Sequence, residues 1–246
     1  MAAVSHVLMT WVKICGITNL EDALTAVETG ADAVGFVFHE SSPRNVEAAT
    51  AREIVAQLPA KVEKVGVFVD LSQEHLVAIV NEVRLTGMQC RLRKNSGTSS
   101  APAGEADRFL EPVKMLLPLS VTLLLQDDNR LKALMADFSR MAEDQSRLAR
   151  RRRANPVDTF LLDSSTRLQP GGTGKTFDWK KVAPLVEVMS KSVKVVVAGG
   201  LTPDNVADAI HILKPWGVDV SSGVEASPGK KDPEKVRAFV QAVRRA

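Results

Sequence analysis

Cysteine is nearly absent: the 246 residues contain only two, Cys15 and Cys90. Two cysteines make no disulfide framework, and neither stands in a C-x-x-C or Cys/His spacing that would hold zinc. No stretch approaches the roughly 18 consecutive apolar residues of a membrane span. The first ten residues have no positive segment ahead of a long apolar run, so no secretory leader is expected. A Gly-rich dinucleotide fingerprint is also missing, because the first apolar run continues as "CGITNLED". Charge excess is small, +3 in total, too little to imply nucleic acid but suited to an anionic small substrate. These absences describe a soluble chain of a reducing compartment, expected in the cytoplasm, with no membrane and no nucleic acid among its partners.

What is present is ordinary for a globular protein with a sizeable core: 45% hydrophobic and 25% charged residues. Short β-branched runs alternate with helical patterns. Strands are expected at Val12 to Cys15, Ala33 to Phe38, Lys64 to Asp70, Thr86 to Leu92, Pro118 to Gln126, Asp158 to Asp163, Val193 to Ala198 and Val218 to Ser221. Most are continuous apolar runs, the pattern of parallel strands buried on both faces. Helix punctuation falls between them. Asn19 is placed to cap one helix that Gly30 ends, and Val46 to Leu58 is amphipathic before Pro59. Ser72 opens a helix to Arg84, and Asp178 opens another. Thr202 with Pro203, and Asp232 with Pro233, mark the last two.

Eight strand–helix pairs at this length predict an α/β fold, a single parallel (β/α)8 TIM barrel over residues 1–246. Residues 1–10 read as an N-terminal extension and 95–106, rich in small residues, as a flexible loop. A doubly wound open sheet is the competitor, weakened by the missing fingerprint. The basic run "SRLARRRRAN", centred on 147–153, reads as a solvated helix face, since no aromatics are interleaved with it.

In such barrels the chemistry gathers at the C-terminal strand ends, with phosphate often bound after strands seven and eight. Those ends supply Cys15, Asp163, Gly199-Gly200 and Ser222-Gly223, while "PGGTGKT" adds Gly172 and Gly174 without Walker spacing. Glycines there let bare backbone N–H groups approach an anion. Cys15 and Asp163 could form a base and an acid, given modest positive potential at the thiol and partial burial of the carboxyl. Arg44 offers either a two-pronged hold on a substrate carboxylate or a salt bridge. Cys90 reads as a bystander. The residues alone thus indicate an acid–base enzyme for a phosphorylated substrate.

"VKICGITNLEDALTAVETGADAVGFVFHESSPRNV", "VGVFVD", "LLDSSTRLQPGGTGKTFDW", "VVVAGGLTPDNV" and "VDVSSGVEASPGKKDPEKV" together resemble the phosphoribosylanthranilate isomerase family. That resemblance implies a (β/α)8 fold and an Amadori rearrangement in tryptophan biosynthesis, with no cofactor. It puts the general base on Cys15, the general acid on Asp163 and the anthranilate carboxylate on Arg44. Phosphate would sit around Gly172, Gly200, Ser222 and Gly223. Family members occur as monomers and as homodimers. The resemblance thins in the middle: "GMQCRLRK" keeps Gln89 but has Arg91 and Leu92 where histidine and glycine are usual, and "SVTLLLQD" lacks a lysine. An altered lip around the aromatic ring is expected, with activity kept. The histidine-pathway isomerase of the same fold is the nearest rival, disfavoured because it uses an aspartate base. A phosphosugar-binding protein without turnover is the other.

Overall fold

A computed structural model describes residues 9–69, 72–91, 119–124, 131–132, 135–136, 157–164 and 176–246. Asp70, Gly172, Gly174, the loop 95–106 and the basic run 147–153 lie outside the described residues. The strands are β1 (Trp11–Cys15), β2 (Ala33–Phe38), β3 (Glu63–Val69), β4 (Gly87–Arg91), β5 (Leu119–Leu124), β6 (Val157–Asp163), β7 (Lys194–Val197) and β8 (Gly217–Val220). They pair in parallel in sequence order, and β8 returns to pair with β1, closing an eight-stranded barrel. The described helices are α1 (Leu20–Glu28), α2 (Ala48–Val55), α3 (Gln73–Val83), α4 (Trp179–Ser190), α5 (Val206–Leu213) and α6 (Pro233–Arg245). After β8 come a single 3-10 turn at Ser222–Val224 and a short antiparallel ribbon of β9 (Glu225–Ser227) and β10 (Lys230–Lys231).

Apolar strands make sense here because both of their faces are covered. Val12 and Ile14 of β1 turn outward into the main core, which also holds Phe36, Leu162, Leu185 and Phe239. Each such fully buried side chain stabilises the fold by about 1.5–3 kcal/mol. The alternate residues point inward, where Leu161, Val196 and Ala198 form a second, smaller apolar cluster with Trp11. Lys13 and Cys15 share this inward face of β1, following the two-residue period of a strand.

The helix starts follow the capping chemistry. The Asn19 side chain accepts from the Asp22 N–H at 2.9 Å, and Gly30 leaves α1 with φ +92°. Ser72 accepts from His75 and Asp178 from Lys181. Asp232 accepts from the Glu234 and Lys235 N–H groups, with Pro233 in the first turn of α6. One helix begins later than expected. Thr202 and Pro203 belong to a turn, and α5 starts at Val206. The cause is Asn205, whose Oδ1 accepts from the Thr202 N–H while its Nδ2 donates to the Gly200 carbonyl. That bracket fixes the loop after β7 before the helix can begin. The helix expected over Val46 to Leu58 is also shorter, its last residues before Pro59 forming a turn. Among the described residues no helix is long and apolar enough to cross a membrane.

Replacing Asp232 by Ala removes both capping bonds of α6. A urea titration should show a loss of about 1 kcal/mol in unfolding free energy, and no loss would show that Pro233 alone sets this helix start.

Candidate active site

Cys15 is the last residue of β1 and only 7% exposed. Its strand ends because Gly16 takes φ +78°, and the Gly16 and Ile17 N–H groups both donate to the Gly35 carbonyl at 2.9 Å. Around the thiol stand charged groups from several elements. Lys13, two residues earlier on β1, is 1% exposed, and its Nζ lies 3.0 Å from Asp219 Oδ1 of β8. The same ammonium donates to Gln89 Oε1 of β4 at 2.7 Å, and Gln89 donates on to Thr122 of β5. Burial pulls the Lys13 ammonium down, but Asp219 and Cys15 together outweigh it and hold the pKa above the ordinary lysine value. For Cys15 burial is the largest effect and pushes the thiol up; Lys13 and Lys231 pull it back and Asp219 opposes them. The positive potential expected at Cys15 is therefore present but is outweighed by desolvation, which holds the thiol above its ordinary value.

Asp163 ends β6 at the same mouth of the barrel and is half-buried. It lies within electrostatic range of Asp219, whose carboxyl is lifted first by burial and further by Asp163, against the pull of Lys13. Gly199 follows β7 at φ +84°, and a side chain there would run into Ser164 and the Asp163 carboxylate, 2.7 Å from its Cβ. Only glycine lets the two strand ends approach this closely. Gly200, Thr202, Ser222, Gly223, Glu234 and Lys235 line an open cleft of about 780 Å³ between the loops after β7 and β8. Gly223 packs so tightly against the Leu201 carbonyl that a Cβ has no room.

Arg44 sits in the loop after β2, where Asn45 accepts from the His39 N–H and Ser42 from the Arg44 N–H. Its guanidinium is already engaged: Nε and Nη2 donate to the two carboxylate oxygens of Glu225 at 2.8 and 2.7 Å. Lys231, 1% exposed, joins the same carboxylate at 2.8 Å. The salt bridge read from the sequence as one alternative for Arg44 is thus formed, and the Nη1 edge is the one that Glu225 does not occupy. Burial pushes the Glu225 carboxyl up, but Arg44 and Lys231 outweigh it and hold it below the ordinary carboxylate range.

Lys13, Asp219, Glu225 and Lys231 were not expected from the sequence as site residues. The signal was there: a Lys inside "WVKIC" and an Asp inside "GVDV" interrupt otherwise apolar strands, where a charge survives only if it is paired. Cys90 is buried, its thiol pushed by desolvation to about 12, in keeping with a bystander. Among the described residues no three His, Cys, Asp or Glu side chains gather as a metal site.

Because Glu225 serves the buried Lys231 and the half-buried Arg44, Glu225→Ala should cost about 3 kcal/mol of unfolding free energy. Chemical denaturation measures it, and a loss well under ~1 kcal/mol would mean that the network behaves as a solvent-screened surface pair.

The model of the family described as N-(5'phosphoribosyl)anthranilate (PRA) isomerase matches residues 12–91 and 129–242. The unmatched gap, 92–128, includes "SVTLLLQD", whereas the divergent "GMQCR" of β4 lies within the matched range. A curated relative from Pelobacter propionicus, N-(5'-phosphoribosyl)anthranilate isomerase, is 41% identical over 233 residues, which cover 95% of each chain. The crystal structure of phosphoribosyl anthranilate isomerase from Thermotoga maritima superposes with a TM-score of 0.77 at 34% identity, covering 97% of this chain and 100% of that one. A phosphoribosyl anthranilate isomerase solved with reduced 1-(o-carboxyphenylamino)-1-deoxyribulose 5-phosphate gives 0.73 at 32% identity, with coverage of 97% and 100%. With its closed barrel, its Cys15 and Asp163 strand ends and these matches along nearly its whole length, the chain belongs to the N-(5'-phosphoribosyl)anthranilate isomerase family.

Proposed function

We propose that this chain catalyses the Amadori rearrangement of N-(5-phosphoribosyl)anthranilate to 1-(2-carboxyphenylamino)-1-deoxyribulose 5-phosphate, the isomerase step of tryptophan biosynthesis. One observation supports it above the rest. Cys15 and Asp163 end β1 and β6 at one mouth of the barrel, and each is in electrostatic contact with a member of the Lys13–Asp219 pair.

In this reading Asp163 gives its proton to the furanose oxygen, the C1–O bond breaks and an iminium forms with the anthranilate nitrogen. The Cys15 thiolate then removes the proton from C2, and the electron pair moves into the C1–C2 bond, giving the enolamine. Protonation at C1 and loss of the hydroxyl proton yield the ketone. C2 is oxidised as C1 is reduced, so the step balances within one molecule. Proton transfer by groups fixed at hydrogen-bonding range contributes on the order of 10²–10⁴-fold each.

The anthranilate carboxylate would meet the Nη1 edge of Arg44, with the other edge pinned by Glu225. Phosphate would lie on the backbone of Gly200, Ser222 and Gly223, where Lys235 adds positive charge to the cleft wall. Gly172, Gly174 and Gly199 complete the set in this reading, Gly199 by letting the β7 loop reach Asp163. The chain would act in the cytoplasm as one barrel domain, monomeric or homodimeric.

The test follows the loss of anthranilate-type fluorescence as freshly made phosphoribosylanthranilate is consumed. Cys15→Ala and Asp163→Asn should each lower kcat by roughly 10²–10⁴-fold. A native protein that binds the reduced product analogue and never converts substrate would overturn the reading.

A further inference from the structure

The buried charge pair beneath the thiol has no part in the proton transfers just described, yet it lies beside Cys15 and within electrostatic range of Asp163. A Cβ built on Gly35 would stand 2.8 Å from the Cys15 sulfur and 2.9 Å from Lys13 Cε, so both side chains lean over the same bare strand, side by side. Lys13 Nζ ends 3.0 Å from Asp219, its direct partner across the β1–β8 seam, where Lys13 and Asp219 are opposed in register. Asp219 in turn is within electrostatic range of Asp163. Gln89 and Thr122 complete a line of polar side chains across the barrel interior.

We propose that Lys13 and Asp219 are positioning residues for the rearrangement: the Lys13 ammonium stabilises the Cys15 thiolate, and Asp219 holds Lys13 in place. This inference rests on the isomerase reading. A lysine could serve simply as a barrel filler, but a hydrophobic residue would fill that space without the cost of desolvating two charges. The pair acts in opposite senses on one thiol. Lys13 favours its anion and Asp219 disfavours it. Among the described residues the other charged groups coupled to Cys15 are Lys231, from the β9–β10 ribbon, and Arg44, from the loop after β2. Both are tied to Glu225, which is not a member of the floor pair.

The test is the pH dependence of iodoacetamide alkylation at Cys15, in a Cys90→Ala background so that one thiol is read. Lys13→Met should move the alkylation midpoint up by about one pH unit or more, a tenfold loss of thiolate below the midpoint. Asp219→Asn removes the carboxylate that keeps the buried Lys13 charged, so it should move the midpoint up as well, by less because its own repulsion of the thiolate is lost too. A barrel that merely loosened would bring both variants to the free-cysteine midpoint of about 8.5, so the upward shift in Lys13→Met separates charge coupling from damage. In turnover, Lys13→Met should lose kcat/KM about tenfold or more near neutrality, and the deficit should shrink as pH rises. A downward shift in either variant, no shift, or a pH-independent deficit would overturn the proposal. Turnover by the native protein tests the isomerase reading separately, because the alkylation midpoints do not depend on it.

Discussion

The ion pair between Lys13 and Asp219 is the constraint around which the site is arranged. It joins β1 to β8, the two strands that must meet for the barrel to close. Both groups are almost wholly removed from water, and desolvating two charges costs several kcal/mol before their attraction offsets it. Gln89 and Thr122 supply the further hydrogen bonding that such a pair requires. An apolar pair would close the seam at less cost. The retained charges make sense as part of the chemistry directly above them.

A second hub, Glu225, does for the substrate-facing side what Asp219 does for the floor. One carboxylate fixes the Arg44 fork, and it also compensates Lys231, whose ammonium is lowered chiefly by burial. Lys231 also donates its backbone N–H to Asp22, the residue capped by Asn19, so the ribbon after β8 is fastened to the start of α1. Loops from β1, β2 and β8 are thereby tied to one another. They are pinned at charged points as well as by apolar side chains such as Ile17, Val46 and Val224, which pack into the core.

Much of this was legible in the residues. The strand β2 lies where the run Ala33 to Phe38 placed it, and the caps Asn19, Ser72, Asp178 and Asp232 all open helices. Even the doubtful fourth strand forms, because "GMQCR" is apolar enough to pair between β3 and β5 although its motif departs from the family pattern. Two things were not legible. The start of α5 depends on a side-chain bracket by Asn205, which propensity and proline position do not reveal. The charged interior depends on contacts between the first and last strands, and no local pattern says that Lys13 and Asp219 face one another. The same long-range burial explains why the thiol lies above its ordinary value when local charge alone suggested the reverse.

The central claim is that a buried thiol, held above its ordinary value by desolvation, serves as the base. The most direct test is kcat/KM of the native protein as a function of pH, which reports the ionisations of the free enzyme. The account predicts a rate that climbs with pH through neutrality and is still climbing above about 8.5, the ordinary cysteine value. A rate already level by pH 6–7, with its rise in the carboxylate range, would contradict it and assign the base to another group.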